Sequence, residues 1–191
     1  MLTTNVNIPT ILMLSVIPDI DIVFQHFQLL EHRGPTHSVI IAFMIFVPIF
    51  AIYRKKAIPY FIALVQHSLV GDYIVGSQTQ VLWPLVRGYY GIGISIQSPT
   101  SITLEWIMFL ASMIVMLMNK DVLQFFQSHN SNLILVIPTV TVLLPTFASI
   151  PLEVPVWLIL PHLVYLFIFF ISIIIDLLHN FKRTSTITLF E

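Results

Sequence analysis

Residues 155–178 read PVWLILPHLVYLFIFFISIIIDLL, twenty-four positions carrying one Asp and one His. About 20 apolar residues suffice for a helix to cross the ~30 Å hydrocarbon core of a bilayer, so this stretch predicts a transmembrane helix. Three further segments, 57–75, 102–118 and 133–150, reach or approach that length between Lys, Arg, Asn, Gly or Pro boundaries. A fifth, 38–53, is slightly short and is closed by Arg54, Lys55 and Lys56. The sixth, 7–24, is interrupted by Asp19 and Asp21, so it either barely spans or enters and turns back. The expected fold is therefore all-α: a polytopic helical membrane protein with five to six transmembrane segments, one domain over 1–191. Its motif-bearing half is 8–84, and 101–180 adds further helices.

Composition agrees. The 191 residues are 57% hydrophobic and 9% charged, with a mean hydropathy of +0.94, against the roughly 25% charged residues of soluble domains. These values argue against a soluble enzyme and against disorder. A net charge of −1 offers no broad surface for nucleic acid. The apolar runs are too long for the alternating strands of a membrane barrel. No Lys or Arg precedes the first apolar run, so the N-terminus is expected to be retained rather than cleaved as a signal peptide. With no cysteine, disulfides and thiolate sites are excluded, and any metal must be held by His, Asp or Glu.

Lys and Arg in short loops set orientation. With both ends cytoplasmic, Arg54, Lys55, Lys56, Lys120, Lys182 and Arg183 lie inside, and only Arg33 and Arg87 lie outside. That count used neither acids nor His, yet it places Asp19, Asp21, His32, His37, His67 and Asp72 together at the extracytoplasmic side. Ionisable groups at membrane depth are costly and usually face a partner or a cavity.

Pro18 should break the first helix, leaving Asp19 and Asp21 in a tight turn. Asp19 there either caps a helix beginning near Ile20 or ligates a metal. In His32-Arg33-Gly34-Pro35-Thr36-His37-Ser38 the Gly-Pro pair prevents a shared helical face, but a loop around Gly34 can bring both imidazoles to one point. Pro35 suits the first turn of the following helix, with Thr36 or Ser38 bonding neighbouring backbone donors. The Arg33 fork suits an anionic oxygen pair such as phosphate; the alternative is a polar loop touching lipid headgroups. His67 and Asp72, five apart, lie about 140° apart on a straight α-helix and share a face only if the helix is distorted near Gly71. Gln78, Gln80, Trp83, Pro84, Arg87 and Gly88, Gly91 and Gly93 form a loop that serves as a lid or as an interfacial anchor. Glu105, Glu153 and His162 are weaker candidates for a surrounding shell. No nucleophile elbow, Walker A loop or zincin pattern occurs.

The order Pro18-Asp19-Ile20-Asp21, His32-Arg33-Gly34-Pro35-Thr36-His37-Ser38, a His followed by an Asp, and Leu82-Trp83-Pro84 resembles the YdjM-like family. Its members are regarded as inner-membrane metal-dependent hydrolases, similar to the zinc-dependent phospholipase C and single-strand nuclease superfamily. The resemblance implies that Asp19, Asp21, His32, His37, His67 and Asp72 are metal ligands or their neighbours. The leading expectation is an integral membrane hydrolase that cleaves a phosphoester, such as a lipid headgroup, by metal-activated water. Arg33 and Asp72 are its catalytic residues. Zn²⁺ fits His and Asp ligation best, with Mn²⁺ or Fe²⁺ as alternatives, and Asp19 or Asp21 can bridge if two ions bind. Competing readings are an ion- or proton-coupled transporter using His67, Asp72 and His162, and a non-catalytic interaction protein.

Overall fold

A computed structural model describes residues 6–26, 31–148 and 154–187. Among the described residues every regular element is helical, without a strand; the non-helical loop 76–98 carries one isolated antiparallel bridge between Thr79 and Tyr90.

Helix α1 (Ile8–Val16) starts where the Asn7 side chain accepts from the Thr10 amide, 3.0 Å away. Pro18 lacks the N–H that would continue the ladder, and its ring conflicts with the carbonyl four residues back. The chain accordingly tightens into a 3₁₀ turn, Ile17–Ile20, before the short α2 (Asp21–His26). A second 3₁₀ turn, Pro35–His37, leads into α3 (Val39–Tyr53), whose first turn is capped by the Ser38 hydroxyl accepting from the Ile41 amide at 3.2 Å. Through the 3₁₀ turn Arg54–Ala57 the chain doubles back into α4 (Ile58–Gln66), and Phe46 stacks on Phe61 with ring centroids 4.2 Å apart. From His67 to Val75 the helix widens into a π-helix, ending at Gly76.

Among the described residues two helices are long and apolar enough to cross a membrane: α5 (Pro99–Met118) alone, and 3₁₀ turn Val156–Leu158 continuing into α8 (Ile159–Ile187), apolar over Val156–Lys182. Only 11% of the most apolar window of α5 is buried. A soluble core helix has the opposite distribution. Between them, 3₁₀ turns Asp121–Phe126 and Asn130–Leu135 precede α6 (Val136–Pro138), a second π-segment Thr139–Leu143 and α7 (Leu144–Ala148). The expected segments 102–118 and 155–178 are thus long helices, 57–75 is α4 plus the π-helix, and 38–53 contains α3. Segment 7–24 is broken at Pro18. Segment 133–150 is described to residue 148.

The apolar core joins α1, α5, α8 and the 121–143 region. Phe125 and Leu135 are fully buried among Met116, Ile168, Phe169 and Ile173, with Ile8 and Leu12 of α1 packed against them. Asn130–Leu135 packs on α1, whereas Thr139–Leu143 packs on the turn that carries Asp19.

Candidate metal centre

The 3₁₀ turn after Pro18 sets Asp19 and Asp21 on opposite sides of a single ring. His37 is completely buried. Its Nε2 lies 3.2 Å from Asp19 Oδ1, and its Nδ1 lies 3.2 Å from Asp21 Oδ2. Asp21, also fully buried, holds the loop before His37 as well. It accepts from the Arg33 amide at 3.0 Å and the Thr36 hydroxyl at 2.7 Å, and its other oxygen lies 2.8 Å from His32 Nδ1.

Reaching Asp21 with the amide while the side chain turns the other way requires Arg33 to adopt φ 63°, an uncommon conformation for a residue with a Cβ. Its carbonyl is tied from outside by the Gln80 amide at 3.0 Å and the Thr79 hydroxyl at 3.2 Å. Its Nε donates to Asp72 Oδ1 at 3.0 Å. The next residue must be small, because a Cβ on Gly34 would sit 2.8 Å from the Glu31 carbonyl oxygen. Gly34→Ala is expected to cost about 1–3 kcal/mol through displacement of this loop, read as a lower unfolding temperature of the detergent-purified protein.

The π-helix answers the spacing of His67 and Asp72. Its i→i+5 bonding widens each turn, so residues five apart approach the same face. His67 Nε2 lies 3.2 Å from Asp19 Oδ1 and 3.5 Å from Asp72 Oδ2, which in turn is 3.3 Å from His37 Nε2. These four atoms come from three chain segments. A tetrahedral ion with ligands at ~2.0–2.2 Å has ligand-to-ligand edges of roughly 3.3–3.6 Å, and the four His–Asp pairs among these atoms, four of the six edges such an ion would need, stand 3.2 to 3.5 Å apart. His67 Nε2 and Asp72 Oδ2 are buried and aligned for no hydrogen bond. Close approach of imidazole nitrogens and carboxylate oxygens without hydrogen-bond alignment is compatible with atoms that share an ion.

Charge points the same way. Asp19, Asp21 and Asp72 against Arg33 leave −2 with neutral imidazoles (3 acids − 1 base), the charge that one dication balances. Without such an ion the acids draw in a proton. Burial alone would lower the His37 pKa, but the hydrogen bonds to Asp19 and Asp21 and the charges of Asp72 and Asp19 outweigh it and raise it to about 9.

All six ligand candidates of the motif half therefore converge, in two overlapping groups able to hold a metal: Asp19, Asp21, His32 and His37, and His37, His67 and Asp72. Half-buried Glu105 on α5 lies within electrostatic reach of His67, Asp72 and Asp19. His162 instead bonds the Leu158 carbonyl of its own helical segment at 2.7 Å and is in neither group. Glu153 lies outside the described residues. Sequence reasoning did not single out Thr79 and Gln80 as supports of Arg33. Gln80 acts through its backbone amide, which leaves no side-chain signal, while Thr36 was visible only as a possible backbone partner rather than as the bridge between Asp21 and His37, 3.0 Å from His37 Nδ1.

The profile of the YdjM inner membrane protein family matches residues 2–150. The chain belongs to that family. No curated protein and no solved structure matches it. In this YdjM protein the family match covers every convergent residue of the centre and stops short of α8.

Proposed function

We propose that this YdjM protein is an integral membrane hydrolase that uses one divalent ion to cleave a phosphoester, with a phospholipid headgroup as the substrate class. The reading rests on one observation: the Nε2 atoms of His37 and His67 each stand 3.2–3.5 Å from an oxygen of Asp19 and an oxygen of Asp72, spacings that suit donors sharing one ion, and two of these four atoms are buried without hydrogen bonds. Mixed His and Asp ligation favours Zn²⁺, with Mn²⁺ or Fe²⁺ able to use the same donors. A dication held there supplies the charge that polarises a phosphoryl oxygen and acidifies a water.

The chain's own groups divide the remaining work. Asp21 fixes the His37 ring through Nδ1, the carboxylate–imidazole support typical of metal-binding His. Arg33 spends Nε on Asp72, and its two terminal nitrogens remain for a phosphate oxygen pair. Arg33 and His32 are about a quarter exposed while His37 is sealed, so substrate approaches from the loop side. Glu105 adds a carboxylate close enough to influence proton transfer at the centre.

The same reading places α3, α4 with its π-helix and the 131–147 segment in the bilayer beside α5 and α8, giving five to six membrane segments. It sets both termini in the cytoplasm and the centre on the extracytoplasmic side, where Lys and Arg are scarce. Headgroups reach such a site while their chains stay in lipid. The test is elemental analysis of the detergent-purified chain, followed by headgroup release from phosphatidylglycerol vesicles before and after chelation. About one metal per chain and chelator-sensitive release are expected. A chain that takes up no divalent metal at equilibrium overturns the proposal.

A further inference from the structure

Outside the metal centre, three fully buried residues each keep a bare polar atom: Asp176 Oδ2, Ser172 Oγ and Asn132 Oδ1. Each would normally be satisfied by a partner in an apolar interior, because an unmade hydrogen bond there costs as much as a lost one. Helix spacing and backbone hydrogen bonds tie the three residues to one face of α8. Ser172 and Asp176 are four apart on α8 and so neighbours on one helix face. The other oxygen of Asp176 accepts from the His129 amide at 2.6 Å, and the Asn132 amide donates to the His129 carbonyl at 2.7 Å, which folds the 129–132 turn against that face. Phe169 and Ile173, on the same helix, belong to the apolar core that walls the spot.

We infer that these three oxygens form a second site, for a monovalent alkali cation such as Na⁺. The donors are a carboxylate, an amide carbonyl and a hydroxyl, all hard oxygens with no imidazole among them, which selects against zinc-like ions. One carboxylate balances one positive charge, whereas a dication would leave an excess charge in the apolar core. The amide bonded to Asp176 is neutral and leaves that charge in place. The site shares no residue with the metal centre and stands apart from the proposed hydrolysis. It ties α8, which lies beyond the family match, to the 121–135 region.

The test uses the full-length protein in detergent at constant ionic strength and constant divalent metal, comparing NaCl, KCl and choline chloride. Unfolding temperature is expected to rise by about 5 °C in Na⁺ over choline, and Asp176→Asn to abolish the rise. Should Asp176→Asn fail to fold, Ser172→Ala removes one oxygen and is expected to raise the Na⁺ concentration at half-effect about tenfold. Equal unfolding temperatures in all three salts, as water alone in the site would give, overturn the inference. So does a Na⁺ response unchanged in the variants that fold.

Discussion

His37→Ala is expected to empty the metal centre, lowering bound metal from about one per chain to less than a tenth and headgroup release with it. The imidazole sits between Asp19 and Asp72 on one nitrogen and Asp21 on the other, all at 3.2–3.3 Å, so truncation deletes a ligand and leaves three acids facing one another. Changing residues that merely support a metal ligand typically weakens binding 10- to 100-fold; losing the ligand itself should exceed that. His162→Ala is the internal control, because His162 bonds its own helix rather than the cluster. Equal metal content in wild type and His37→Ala, measured by mass spectrometry on the same preparation, would exclude His37 as a ligand.

The second large effect is on folding. Asp21 is fully buried and joins His32, the Arg33 amide, Thr36 and His37. Asp21→Ala strands all four partners, and breaking a buried charged network costs about 3–5 kcal/mol. The expected result is a chain that expresses poorly or unfolds at markedly lower temperature. Asp21→Asn keeps the volume and one acceptor oxygen; it should fold better while binding metal 10- to 100-fold more weakly. If Asp21→Ala unfolds like wild type, the carboxylate does not organise the loop.

Much of this was legible because the signals were either long or chemically crowded. The run through 155–178 could only be a long apolar helix, and the sorting of Lys and Arg away from Asp and His marked where chemistry collects. The five-residue gap between His67 and Asp72 demanded a helix distortion, and the π-helix supplies it. Other features depend on backbone geometry that side-chain patterns do not encode. Two carboxylates in an extended turn point apart, so the sequence left Asp19 divided between capping and ligation; a 3₁₀ turn instead wraps both around His37. The docking of residues 79–81 on the motif loop runs largely through main-chain bonds, such as Gln80 to Arg33 and Val39 to Val81 at 3.0 Å each.

The three-way anchoring of Arg33 bears on how the protein is made. Its amide, guanidinium and carbonyl engage residues 21, 72 and 79–80 respectively. A chain emerging from its N-terminus delivers Asp19, Asp21, His32 and His37 well before their remaining partners, so during synthesis two acids and two imidazoles precede His67 and Asp72. The centre closes only once the α4 hairpin has been inserted. On the proposed reading, the ligand set is complete only after about 80 residues have been delivered, with α5 and α8 still to follow in the chain.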